Sequence, residues 1–252
     1  MDVRRTLPPA EELGESPLWP AAAIVAAAGL YADLPSRFIF GHSAGAFGVV
    51  RWVVPALTFL VLASLAAIRP RGRLTRRRLA IGTIGLVSAA NAVSIGLLVH
   101  LLINGAHANA STLLRAAVHM WVVNVLLFAL WYWQLDGGGP VARPTCAPAA
   151  RDFLFPEQQE PALAESGWRP LFIDYLYVSF TNATAFSPTD ALPLSRWAKM
   201  LMLVQSAISL ALAVMVVARA VNILRTGTEP GAALARPYLV ANEQRALFKM
   251  PG

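Results

Sequence analysis

Five stretches of this chain are long and apolar enough to be matched against the thickness of a lipid bilayer, and a sixth is borderline. A hydrocarbon core about 30 Å thick takes roughly 20 mostly apolar helical residues to cross. Run length therefore limits the fold more than any motif does. The five are residues 18–34, 47–68, 79–103, 116–133 and 200–218, and the borderline run is 171–187. With 56% hydrophobic residues, only 14% charged residues and a mean hydropathy of +0.53, the composition is that of a polytopic membrane protein. Lipid offers no partner to backbone N–H and C=O groups, so the spans must be helices, and the expected class is an all-α membrane protein.

Each run carries its own marks. The first is Ala-rich, and with Arg4 and Arg5 ahead of it has the outline of a signal peptide. Glu11, Glu12, Glu15, Pro8 and Pro9 in between favour a retained membrane helix instead. The second holds Arg51, able to snorkel to an interface, and Pro55, expected to kink the helix. In the third, Ser88, Ala92 and Gly96 recur every four residues, a strip of small side chains that another helix can approach closely. The fourth ends in Trp131, Tyr132 and Trp133, the aromatic type found at headgroup level. The fifth has Gln205 as its strongly polar residue.

The borderline run is short and rather polar, with Asp174, Ser179, Thr181, Asn182 and Thr184. It suits either a sixth crossing or a half-membrane helix with a returning loop. Its sequence runs from Tyr177, Ser179 and Phe180 through Thr181 and Thr184 to Ser187, Pro188, Thr189 and Asp190, followed by a long apolar helix. Pro193 lies three residues after the Asp, Lys199 nine and Gln205 fifteen. This order resembles the pore module of bacterial two-helix potassium channels, in which an aromatic Ser-Phe step leads to a Thr-rich filter and an Asp. The resemblance covers residues 172–219 and implies five transmembrane helices plus one re-entrant helix and loop, with six transmembrane helices as the alternative. It also implies a homotetramer and a pore or ion-binding set of Thr181, Thr184, Ser187, Thr189 and Asp190, whose oxygens suit a small hard cation. The channel filter needs glycines for its inward carbonyls, whereas residues 185–189 contain none and Pro188 restricts Ser187. The usual potassium cage is therefore not expected.

Basic residues bear on the same choice. If all six runs cross, sixteen Arg and Lys side chains fall on one face and five on the other, a clear positive-inside pattern with both termini cytoplasmic. If the sixth run dips and returns, the split is thirteen on the face holding the loop and eight on the other. A channel-type loop enters from outside, which would leave the block of Arg69, Arg71, Arg73, Arg76, Arg77 and Arg78 external, against the rule. The net charge of +7 lies mostly in that juxtamembrane block, which suits anionic lipid headgroups at about 1 kcal/mol per residue. No nucleic-acid module is present.

The expected organisation is an N-terminal tail (1–16), a four-helix membrane region (17–134), a polar connector (135–169), the pore-like segment (170–224) and a flexible tail (225–252). The connector has a Gly137–Gly139 run, several prolines and an apolar island at Phe153 to Phe155, and reads as a partly ordered loop or a lid. Cys146 is the single cysteine, so no intrachain disulfide or thiolate cluster forms. His42, His100, His107 and His119 lack metal-ligand spacing, and Gly41-His-Ser43 lacks the strand a nucleophile elbow requires. Neither a cofactor nor an enzymatic activity is expected. Arg115 and His119 share a helix face and form a candidate proton or anion site. Asn91 and Asn124 read as interhelical packing groups. The function that follows is a pore-loop channel-like protein of the bacterial inner membrane that passes or binds a small cation, the rival being a non-conducting membrane scaffold.

Overall fold

The computed structural model describes residues 18–33, 73–103, 110–145, 150–160, 162, 164–165, 167–185 and 190–227. Its helices are α1 (Leu18–Asp33), α2 (Arg73–Ile103), α3 (Ala110–Leu135), the short α4 (Pro156–Gln159), α5 (Phe172–Ala185) and α6 (Arg196–Gly227). Two-residue strands β1 (Phe153–Leu154) and β2 (Leu192–Pro193) pair antiparallel, Phe153 opposite Pro193 and Leu154 opposite Leu192. The described residues are mostly helical, as the apolar runs require.

Three stretches are long and apolar enough to cross a membrane: Arg77–His100 in α2, Leu114–Gly138 in α3 and the turn after it, and Arg196–Ala218 in α6. They coincide with the third, fourth and fifth apolar runs. The first run forms α1, which at 16 residues is shorter than a full crossing. The second run, with Pro55, lies outside the described residues, as do residues 1–17 and 228–252, whereas 225–227 continue α6.

Hydrogen bonds and ion pairs give the directions of the helices. Trp131 of α3 donates its indole N–H to the Ser88 hydroxyl of α2 at 3.0 Å. At the other end of α3, His119 Nδ1 lies 3.5 Å from a carboxylate oxygen of Asp33, the last residue of α1. Thus α1 runs antiparallel to α3, and so does α2, whose Arg77 Nε near its start would lie 3.6 Å from a Cβ on Gly139 just past the end of α3. Ala27, Ile84, Val87, Val123, Leu127, Leu130 and Tyr132 fill the shared core. Ser88 is half-buried, but Ala92 and Gly96 are exposed, and among the described residues nothing lies within 4 Å of a Cβ placed on Gly96. The small-residue strip is thus largely unoccupied by the described helices, and α2 packs instead through Ile84, Val87, Asn91, Ser94, Ile95 and Leu98.

The connector is the main difference from the sequence reading. Its described residues fold back on the end of α3, where the sequence reads as a partly ordered loop or a lid. Gly137, Gly138 and Gly139 all take positive φ and stop α3 abruptly. A Cβ on Gly139 would lie 3.0 Å from the Gln134 carbonyl oxygen, so this close approach needs glycine. Two turns later Arg143 is buried, donating to the carbonyls of Trp133, Asp136 (3.4 Å) and Pro170 (3.3 Å). The Trp133 carbonyl lies in the last turn of α3 and that of Asp136 just beyond it, where a cation also meets the negative end of the helix dipole.

The chain divides into two compact units, Met1–Leu212 and Ala213–Gly252. In the second, the described residues continue α6, with Val214 and Val217 exposed. All contacts discussed below belong to the first unit.

Candidate functional site

Asp136, the first residue beyond α3, anchors three segments at once. Its Oδ1 accepts the backbone N–H groups of Asp152 (2.7 Å) and Phe153 (3.2 Å). Its Oδ2 accepts the Tyr175 hydroxyl at 2.5 Å and lies 3.4 Å from Arg143 Nε. The Arg143 guanidinium stacks 4.6 Å from the Tyr175 ring centroid. Both charged residues are buried, so the pair holds only because its other hydrogen-bonding capacity is also met. Around it the apolar island closes an aromatic cluster: Phe153 against Tyr132 and Tyr175, and Phe155 against Trp168 and Tyr175.

This anchor fixes the path of α5. Tyr175 sits at the Asp136 end of α3, the Ser179 hydroxyl donates to the Val125 carbonyl (2.7 Å), and Phe180 meets Trp121 edge-on. The helix therefore runs antiparallel to α3, away from the connector. Its last described residue is Ala185. The chain then comes back. Asp190 accepts the Tyr177 hydroxyl at 2.8 Å, β2 pairs with β1, and Leu194 N–H donates to the Asp152 carbonyl at 2.8 Å. Helix α6 starts at the end where α5 started.

On its inward side the hairpin is held by a polar knot. Gln205 Oε1 accepts from the Tyr132 hydroxyl (2.5 Å) and from Asn182 Nδ2 (2.9 Å). Its Nε2 donates to the Ser179 hydroxyl oxygen (2.7 Å) and carbonyl (2.9 Å). Asn182 also donates to the Met202 carbonyl (3.0 Å), and its Oδ1 accepts the Ser206 hydroxyl (3.1 Å). Lower on α3, Asn124 donates to the Ser209 hydroxyl oxygen at 3.1 Å. Ser179, Asn182, Gln205 and Ser209 are all buried and mutually satisfied. In an apolar interior such a set fixes the register of three helices.

The sequence-derived site residues are placed differently. Thr181 donates to the Tyr177 and Val178 carbonyls, and Thr184 to those of Phe180 and Thr181, so both hydroxyls point their hydrogens into their own helix. Thr184 and Asp190 are exposed. Ser187 and Thr189 lie outside the described residues. The outer face of α5 carries Ile173, Tyr177, Phe180 and Thr184, each exposed. Of the pore set, the described members are thus two helix-bonded threonines and one carboxylate held by Tyr177.

Other candidates resolve individually. His119 faces Asp33, while Arg115 is exposed one turn away. Asn124 does pack between helices, but with Ser209, and Asn91 Oδ1 is buried without a hydrogen-bond partner. Among the described residues no group of three His, Cys, Asp or Glu could hold a metal. The knot and the Asp136 anchor were missed from sequence. Their signals were there: Ser179 and Asn182 are three apart, on one face of α5, and Gln205 is the strongly polar residue of its span. Tyr132 had been grouped with headgroup aromatics, yet it is fully buried and turned toward Gln205.

Fold and site together define a mostly helical protein with three helices of membrane-crossing length and a shorter helix, α5, packed along α3. No family model matches the sequence, and no curated protein and no solved structure is similar to it.

Proposed function

We propose that the chain is a multi-pass protein of the bacterial inner membrane, with five spans and residues 172–195 as a re-entrant hairpin. Several copies, four in the simplest ring, surround a path that passes or binds a small cation. The observation that carries this reading is that α5 begins, and β2 returns, at the same end of α3. Fourteen helical residues rise about 21 Å, short of the ~30 Å hydrocarbon core. Non-helical backbone at that depth is tolerated where protein buries it or where it lines a wet cavity. The exposed face of α5 and the Asp190 carboxylate supply a polar-edged surface for an axis between copies.

The orientation departs from that of potassium channels. Arg77 and Arg78 at the start of α2, Arg143, Arg151 and Arg169 in the connector, and Arg196 and Lys199 at the start of α6 gather at the mouth of the hairpin. The positive-inside rule makes this end cytoplasmic, so the hairpin dips from the cytoplasm. Anionic headgroups there meet the arginines of residues 69–78.

One observation favours a non-conducting scaffold instead: Ser179 and Asn182 turn inward and the Thr181 and Thr184 hydroxyls bond their own helix. Reconstitution into proteoliposomes separates the two readings. A channel gives potassium or sodium flux and a ring of about four chains. Absence of cation flux at every voltage and pH, from protein shown to be folded, overturns the pore and leaves the scaffold.

A further inference from the structure

The connector encloses a cavity of about 50 Å³ lined by Pro140, Arg143, Pro144, Arg151, Arg169, Pro170 and Leu171. That volume holds only a few water-sized groups. Its chemistry is lopsided, with three guanidinium side chains and three prolines, which have no backbone N–H to offer. Hydrogen-bond donation into the cavity therefore comes mainly from the arginines. Arg143 is committed to three carbonyls and to Asp136, and its charge is offset by that carboxylate. Arg151 is different: its Nε is buried and has no hydrogen-bond partner. A buried guanidinium N–H without an acceptor is costly and rare, even where the rest of the side chain is only partly buried. Arg169 adds a second charge from the exposed rim.

We propose that this cavity is a binding site for a phosphate group, received by the guanidinium groups of Arg151 and Arg169 against the fixed wall of Arg143 and the prolines. Arginine suits this role because its planar fork donates two parallel hydrogen bonds to an oxyanion, which a lysine cannot reproduce. The position of the cavity fits a phospholipid headgroup: it follows directly on the membrane-length stretch Leu114–Gly138. Exposed Val141, Leu171 and Ile173 nearby offer apolar surface to acyl chains. Free inorganic phosphate carries the same recognition chemistry. The inference stands apart from the pore reading, since a scaffold could carry this site equally well.

The test uses the full-length protein purified in a phosphate-free maltoside detergent. Binding is measured by calorimetry with two probes, inorganic phosphate and a short-chain phosphatidylglycerol. The expected result is saturable binding of at least one probe, weakened tenfold or more in both R151Q and R169Q and only partly kept in R151K, with R196Q unchanged. Binding of the lipid alone identifies the headgroup as the source, binding of inorganic phosphate alone identifies the free ion, and binding of both shows recognition of the phosphate group itself. No saturable binding of either probe to folded wild-type protein overturns the proposal. So does equal affinity in wild type and R169Q.

Discussion

The Tyr177 hydroxyl donates a 2.8 Å hydrogen bond to the carboxylate of Asp190, tying the returning chain to the middle of the helix that precedes it. Tyr177 lies five residues beyond Phe172, a rise of about 7.5 Å along α5. Asp190 is therefore held well short of the ~25–30 Å that a full crossing would require. Together with the pairing of β1 and β2, this bond defines the hairpin.

Cysteine labelling in intact vesicles gives the first expected outcome. In a C146S background, cysteines placed at exposed Val141, before α5, and at exposed Leu194, after it, should react with a membrane-impermeant thiol reagent from the same face. A cysteine at exposed Leu114, at the far end of α3, should react from the opposite one. Labelling of positions 141 and 194 from opposite faces would establish a sixth crossing and end the re-entrant reading.

Gln205 has the most partners in the knot, so Gln205→Leu should be among the more destabilising substitutions in α6. It strips acceptors from Tyr132 and Asn182 and the donor from Ser179. Each buried polar group left unpaired costs about 1–3 kcal/mol, although hydrogen bonds within membranes often measure less, about 0.6 kcal/mol on average. A loss of about 1–3 kcal/mol in denaturant unfolding is expected. Tyr132→Phe, which removes one bond and leaves Gln205 Oε1 paired with Asn182, should cost less than half of that. Equal effects would mean that the knot does not act as one unit.

The Asp136 anchor predicts strong non-additivity. Arg143→Met leaves a buried carboxylate without its cation, a change worth about 3–5 kcal/mol. The double variant D136N/R143M removes both charges and should recover part of that loss. Limited proteolysis offers an independent reading: the connector between Pro140 and Pro170 should resist cleavage in wild type and become sensitive in the single variant. A double variant as unstable as the sum of the single ones would show that the two side chains act independently.

The three long helices were legible because hydrophobic length alone decides what can cross a bilayer. The connector was not. Its glycines and prolines read as loop, and its order comes from one carboxylate, Asp136, accepting from residues 16, 17 and 39 positions away. Local sequence carries no trace of such pairings. The site was read with the same bias: the hydroxyls of Thr181 and Thr184 drew attention by composition, whereas helix geometry lets each reach its own backbone three and four residues back. The inward pair Ser179 and Asn182 shared a face with nothing visible to face until α6 brought Gln205 against it.

Asp190 gives the sharpest test of function, because its charge and its hydrogen bond can be removed separately. Asp190→Asn keeps an oxygen that accepts from Tyr177 and loses the negative charge; Tyr177→Phe keeps the charge and loses the bond. A carboxylate at a pore mouth raises the local cation concentration, an effect that shrinks as the Debye length falls from about 10 Å at 0.1 M salt to about 3 Å at 1 M. In proteoliposomes at low ionic strength, D190N should therefore pass cations at least about twofold more slowly than wild type, with the gap closing near 1 M salt. Y177F should keep the wild-type salt dependence. If D190N and wild type conduct equally across that range of salt, Asp190 has no part in the ion path, and its bond to Tyr177 serves only to hold the hairpin closed.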